Sequence, residues 1–153
     1  DTFEQLVIGA SFTLEKLSLI AEFSHDATGL NNNQWHTFIN NNLVHHALYK
    51  DPLQKNLGML ALYYDNQAIS RTGTRKHYLF LNVSTDFENS RLGLFSKIDT
   101  QGRSSITGAS YLHQLTDSLD VNVNYTVFSG GSTSEFGGLP VASEFEIMFK
   151  YLI

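Results

Sequence analysis

The chain contains no cysteine, which excludes a disulfide framework and any thiolate-based zinc or redox site. Long apolar runs are missing as well. The longest, LGMLALYY at Leu57–Tyr64, is less than half of the roughly 18–20 residues that a membrane-spanning helix needs, so no helix within these residues is expected to cross a bilayer. Basic residues are few: 10 Lys and Arg stand against 15 Asp and Glu, for a net charge of -5. With no basic stripe to offset that balance, a nucleic-acid partner is not expected. The chain opens at Asp1 without an initiator Met or a charged-then-apolar leader, and so reads as a processed protein or a piece of a longer one.

What the sequence does have is alternation. The ending SEFEIMFKYLI places Phe145, Ile147, Phe149, Tyr151 and Ile153 on every second residue, with Glu144, Glu146, Met148, Lys150 and Leu152 between them. Upstream, DSLDVNVNYTVF sets Leu119, Val121, Val123, Tyr125 and Val127 against Asp120, Asn122, Asn124 and Thr126. SSITGASYLHQL is a weaker strand of ambiguous phase. SRLGLFSKIDT opposes Leu92, Leu94 and Ile98 to Arg91, Lys97 and Asp99, and KHYLFLNVSTDF opposes Leu79, Leu81, Val83 and Phe87 to Asn82, Ser84 and Asp86. Near the start, EQLVIGASFTL and LSLIAEFSHD form a hairpin about Glu15 and Lys16, with Leu17, Leu19, Ala21 and Phe23 facing away from Ser18, Glu22 and Ser24. Period-two patterning with regular turn signals predicts seven antiparallel strands of about ten residues each.

Two architectures produce such a pattern. In a soluble sandwich or barrel the apolar face is the core. In an outer-membrane barrel it meets lipid, while the polar face lines a wet lumen. Connection lengths separate the two. From the C-terminus the links run long (SGGSTSEFGGLPVAS), short (LTDS), intermediate (DTQGR), short (FENS), very long (about 27–75) and short (LEK). Such strict alternation fits a barrel whose one rim carries tight turns and whose other rim carries loops.

The ending resembles the C-terminal strand of Gram-negative outer-membrane β-barrel proteins, where aromatic and aliphatic residues alternate back from the last residue as an assembly signal. Tyr151, Phe149, Ile147 and Phe145 match that pattern, and Ile153 stands where the family most often has Phe. The order of parts is similar to porin-like barrels: a strand, a long loop opening with NNNQWHTF, then HYLFL, paired strands and a last loop with SEFGGLP. The resemblance implies an all-β, antiparallel up-and-down transmembrane barrel of about 7–8 strands in this chain, as one barrel segment spanning 1–153. An odd strand number further implies that upstream strands complete a larger barrel, or that an eighth strand from LVHHALYK or NLGMLALYYD, segments that suit helices better, closes a small one. Location in the bacterial outer membrane, contact with its lipid and lipopolysaccharide, and delivery by the barrel-assembly machinery follow from the same resemblance. Phe145, Ile147, Phe149, Tyr151 and Ile153 would face lipid, with Phe149 and Tyr151 in the aromatic girdle.

The long loop carries its own signals. QWHTFINNNLVHHALYK spaces Trp35, Phe38, Ile39, Leu43, His46 and Ala47 helically, and DPLQKNLGMLALYYDN suggests a second helix with Asp51 as N-cap and Pro52 at the first position. Trp35, Phe38, Leu43, Leu57, Leu60 and Tyr64 carry too much apolar area to leave in water, so packing over the barrel mouth or inside the lumen is expected. Arg71, Arg75 and Lys76, where the loop ends, are candidates to meet lipopolysaccharide phosphates or the acidic inner wall.

Chemical motifs are scarce. His36, His45 and His46 share the long loop, yet adjacent helical histidines diverge and lack a carboxylate at zincin spacing, so no metal site is assigned to them. Ser110 with His113, or Ser24 with His25, would need a third, orienting group to act as a catalytic set. SGGSTSEFGG lacks the Lys and following helix of a phosphate loop. No enzyme activity and no cofactor are therefore expected. The polar phase holds Glu22, Asp26, Asp86, Asp99, Asp120, Glu144 and Glu146 with Arg91, Lys97 and Lys150, an acidic lining that would tune ion preference in a water-filled pore. The expected function is a porin-like channel segment passing small polar solutes or ions. The alternatives are a structural or secretion-linked barrel holding a protein partner, and a barrel enzyme.

Overall fold

The computed structural model describes residues 4–71 and 74–151. Seven strands and two helices follow in chain order: β1 (Gln5–Leu14), β2 (Leu17–Asp26), α1 (Asn32–Lys50), α2 (Lys55–Arg71), β3 (His77–Phe87), β4 (Ser90–Asp99), β5 (Ser104–Thr116), β6 (Leu119–Ser129) and β7 (Ser143–Tyr151). The chain is all-β in its main architecture. All seven strands form one sheet whose spatial order repeats the chain order, β1 to β7, as in an up-and-down meander. The sheet described is open, with β1 and β7 at its two ends. The antiparallel up-and-down order expected from the sequence is present, and the sheet of these strands is not closed into a barrel. Ile153, expected on the last strand, lies outside the described residues.

The strands form where the sequence alternates and carries β-branched or aromatic residues, as in LDVNVNYTVFS of β6. Tight two-residue turns at Glu15–Lys16, Glu88–Asn89 and Asp117–Ser118 occupy one rim. Glu15 takes a positive φ of 49°, the left-handed geometry that lets a short hairpin follow the twist of its strands. The other rim carries the 27–76 excursion, the 100–103 turn and the 130–142 loop. The alternation of short and longer links is thus present as the sequence predicts.

Contacts divide the chain into two units. One takes in His25–His77 with the N-terminal end up to Leu6, and the other Val7–Ser24 with everything from Tyr78 on. In the first unit, Asn31 caps α1: its side chain accepts from the Gln34 N–H at 3.0 Å, and the Gln34 side chain accepts from the Asn31 N–H at 2.9 Å. This reciprocal box satisfies two backbone donors that the first helical turn would otherwise leave unpaired. Asp51 has a different role from the N-cap expected of it. It closes α1 through bonds from its N–H to the Ala47 and Leu48 carbonyls, while its carboxylate accepts from the Leu53 N–H at 2.9 Å. The side chain is consumed in the turn, so Pro52 falls in that turn and α2 begins only at Lys55. The two helices approach closely at Gly58, where any Cβ would collide with the backbone of Leu48 and Tyr49.

Trp35 is the buried large apolar residue among those described in this unit, 7% exposed. The Arg75 guanidinium lies 5.3 Å from its ring centroid and bonds to the Asn31 carbonyl and the Asn32 side chain. Arg75 is 1% exposed, so it holds the base of the excursion and is not presented for phosphate contact. Phe38 is half-buried. Leu43, Leu57, Leu60 and Tyr64, expected to pack, are 62%, 58%, 50% and 62% exposed.

The capping box makes a local prediction. Asn31→Ala should cost about 1 kcal/mol of helix stability. Hydrogen exchange in the first turn of α1 should accelerate about fivefold, and an unchanged rate would show that the box carries no net stabilisation.

Candidate functional site: the two faces of the sheet

Directly opposed residues of an antiparallel pair share a face, so the register assigns every side chain of β3 to β7. Leu79 pairs with Ile98, Val83 with Leu94 and Thr85 with Leu92. Leu94 then pairs with Ala109 and Leu92 with Tyr111, Tyr111 with Val123 and Ala109 with Tyr125, and Val123 with Ile147 and Val121 with Phe149. One apolar face therefore runs unbroken across five strands. The ambiguous strand β5 joins it through Thr107, Ala109, Tyr111 and His113, leaving Ile106 and Leu112 on the other side.

This apolar face is exposed. Among the described residues only Trp35 and Phe136 are buried apolar side chains, whereas Leu94, Tyr125, Phe145, Ile147, Phe149 and Tyr151 are 48–69% exposed. Some polar groups on this face bond to one another. Ser96 and Thr107, opposed in register, bond hydroxyl to hydroxyl at 3.0 Å.

The opposite face gathers the expected charges. Asp86 pairs with Arg91 through two bonds of 2.6 and 3.1 Å. Asp120 stands opposite Lys150, and Asn124 opposite Glu146, with the Asn124 amide donating to the Glu146 carboxylate at 3.0 Å. Glu144 faces Thr126. Glu22 shares its side of the sheet with Gly9, whose added Cβ would meet the Glu22 stem. Asp26 accepts from the Thr28 hydroxyl at 2.6 Å and from the Gln5 amide at 2.9 Å. Lys97 and Asp99 belong to a denser cluster at the loop-bearing end.

That cluster is built by the 130–142 loop folding back over the sheet. The Tyr78 hydroxyl reaches both Glu135 carboxylate oxygens at 2.9 Å. Phe136 is 5% exposed, and the Lys97 ammonium sits 4.0 Å from the Tyr78 ring centroid and 5.9 Å from that of Phe136. Asp99 is wholly buried and accepts from the Gln101 N–H at 3.0 Å. Nearby, Phe95 lies across Gly108, where any Cβ would strike its ring, so a glycine is required for the aromatic to lie flat on the sheet. The loop can turn back because Gly130 adopts φ 143° and because Ser134 bonds to Gly131 and Gly137. Sequence reasoning read this segment only as a loop. The presence of Tyr78, Phe80 and Phe95 in the polar phase was the available signal that something packs there.

Strand parity also decides the serine and histidine candidates. Ser24 and His25 are neighbours on one strand and so point to opposite faces, and Ser110 and His113 fall on opposite faces too. His113 instead meets Ser90, Oγ to Nδ1 at 2.7 Å, and Tyr111 lies 3.2 Å from the same hydroxyl. Among the described contacts no carboxylate orients the His113 ring. In the helical excursion His45 is held by Asp65 at 2.7 Å, while His36 and His46 are exposed. The three do not converge.

No family model, curated protein or solved structure matches the chain.

The Tyr78–Glu135 bond should hold the loop against the sheet. A hydrogen bond to a charged group contributes about 1.5–3 kcal/mol, so Tyr78→Phe should speed hydrogen exchange of Ser134–Gly138 at least about tenfold. Exchange at the original rate would place the anchoring in Phe136 and Lys97 instead.

Proposed function

We propose that the chain is the C-terminal part of a porin-like barrel in a Gram-negative outer membrane, passing small polar solutes or ions. The observation that carries this reading is the continuous apolar face left exposed while the opposite face collects the charges. Even at roughly 1 kcal/mol per half-exposed side chain, about a dozen such residues forgo on the order of ten kcal/mol. That rivals the whole net stability of a domain, about 5–15 kcal/mol. Such a face must be covered, and lipid covers it without a partner-shaped surface. Strands of 9 to 13 residues suit a tilted bilayer crossing of about 9–11.

Other features support the same reading. Phe87, Tyr111, Phe149 and Tyr151 fall on the apolar side towards the tight-turn rim, where an aromatic girdle belongs. The mutual bond of Ser96 and Thr107 lowers the cost of setting these two hydroxyls against hydrocarbon. The free edges of β1 and β7 would be paired by upstream strands, since a bilayer tolerates no unpaired edge. The charged face then lines the lumen, and the 130–142 loop narrows it beside Lys97.

Two measurements test this. Val123→Arg, directed at lipid, should lower stability in bilayer refolding by about 2–4 kcal/mol if it sits near the midplane, while Asn122→Arg should be far milder. Equal tolerance of both would remove the lipid-facing assignment. In planar bilayers the full-length protein should give discrete conductance steps, and Glu144→Gln with Glu146→Gln should lower its cation preference. Correctly inserted protein that never conducts would sink the channel reading.

A further inference from the structure

We propose that His25 and His77 form a two-imidazole site for a divalent first-row transition ion of the zinc class. The Asp26 N–H bonds to the Lys76 carbonyl at 2.8 Å, and the Asp86 N–H to the Lys16 carbonyl at 3.0 Å. Both bonds fit a single antiparallel register of β2 and β3. It sets His25 opposite His77 at a non-hydrogen-bonded pair, where cross-strand side chains stand closest. Their Nδ1 atoms are 3.2 Å apart.

Ring geometry makes this separation informative. The ring centroids are 4.7 Å apart with planes inclined at 33°, so the nitrogens are nearer to each other than the rings are, and the two Nδ1 atoms converge. With metal–nitrogen bonds of about 2.0–2.1 Å, the 3.2 Å spacing closes an angle of about 99–106° at the ion, close to tetrahedral. Imidazole pairs of this kind suit zinc, nickel and copper, and imidazole nitrogen is a poor donor for hard cations such as calcium and magnesium. Among the described residues no group of three or more His, Asp or Glu is placed to hold a metal, so water or an exogenous ligand fills the remaining positions.

The placement gives such an ion a purpose. His25 lies one residue from the end of β2 and His77 opens β3, so together they stand at the two roots of the helical excursion. An ion shared between them ties those roots together, as a cross-link closing a loop of about fifty residues would. Both histidines belong to one unit, and the site stands whether or not the sheet lies in a membrane.

Zinc titration of the refolded whole chain, followed calorimetrically, tests the site. One ion should bind per chain, His25→Gln and His77→Gln should each weaken binding at least tenfold, and His45→Gln should leave it unchanged. Copper(II) paramagnetic resonance of the unaltered protein needs no variant and should report coupling to two imidazole nitrogens. Zinc affinity insensitive to both substitutions, no zinc binding, or coupling to fewer than two nitrogens would each overturn the site. The 3.2 Å contact would then be an ordinary hydrogen bond between the two rings.

Discussion

Antiparallel pairing imposes one constraint on which everything else in this chain depends: residues opposed in register share a face, and each step along a strand changes it. A slip of one residue between any two strands would send half of the apolar set to the charged side. Across β3 to β7 the register instead keeps one apolar face continuous, through Leu79 and Ile98, Leu94 and Ala109, Tyr111 and Val123, Val123 and Ile147, with Ile106, Leu112 and Met148 on the other side. The bulge between Gln114 and Thr116 falls near the strand end, with only the Thr116–Leu119 pair beyond it. The sheet therefore has two chemically distinct sides, and large side chains of the apolar one, Leu94, Tyr125, Ile147 and Phe149 among them, are exposed.

The charged side is not uniform. Towards the tight turns it carries paired and cross-strand charges, Asp86 with Arg91 and Asp120 opposite Lys150, that leave its surface open to solvent. Towards the loops it is filled by the returning 130–142 segment, whose Glu135 and Phe136 meet Tyr78 and Lys97 from β3 and β4. A loop joining β6 to β7 thus reaches strands three positions away. Gly93 and Gly108, both buried, keep the intervening wall low enough for Ser110 and Phe95 to lie against it.

The excursion between β2 and β3 obeys different rules. Its helices hold together by the Asn31 box, the close approach at Gly58 and the Asp65 bonds to His45 and Asn42, while the Arg75–Trp35 stack fixes its base. Most of its larger apolar side chains are exposed, as are those of the sheet's apolar face. In both places the sequence carries more apolar surface than its own described contacts consume.

Strand positions, the two faces and the alternation of turns were legible in the sequence, because a period of two is a local property that needs no partner to be seen. The helices were legible from spacing for the same reason, although the N-cap expected at Asp51 was not formed. Only the turn geometry after Lys50 assigned Asp51 to the end of α1 and left α2 to start at Lys55. The phase of β5, where Ile106 and Leu112 compete with Ala109 and Tyr111, was settled by its neighbours. Three further contacts had no local signature: Tyr78 with Glu135, Ser90 with His113, and His25 with His77. Each joins residues 23 to 57 positions apart, and such meetings depend on register and on loops folding back. Alternation determines which side of the sheet a residue occupies, and tertiary pairing alone decides which residue it meets there.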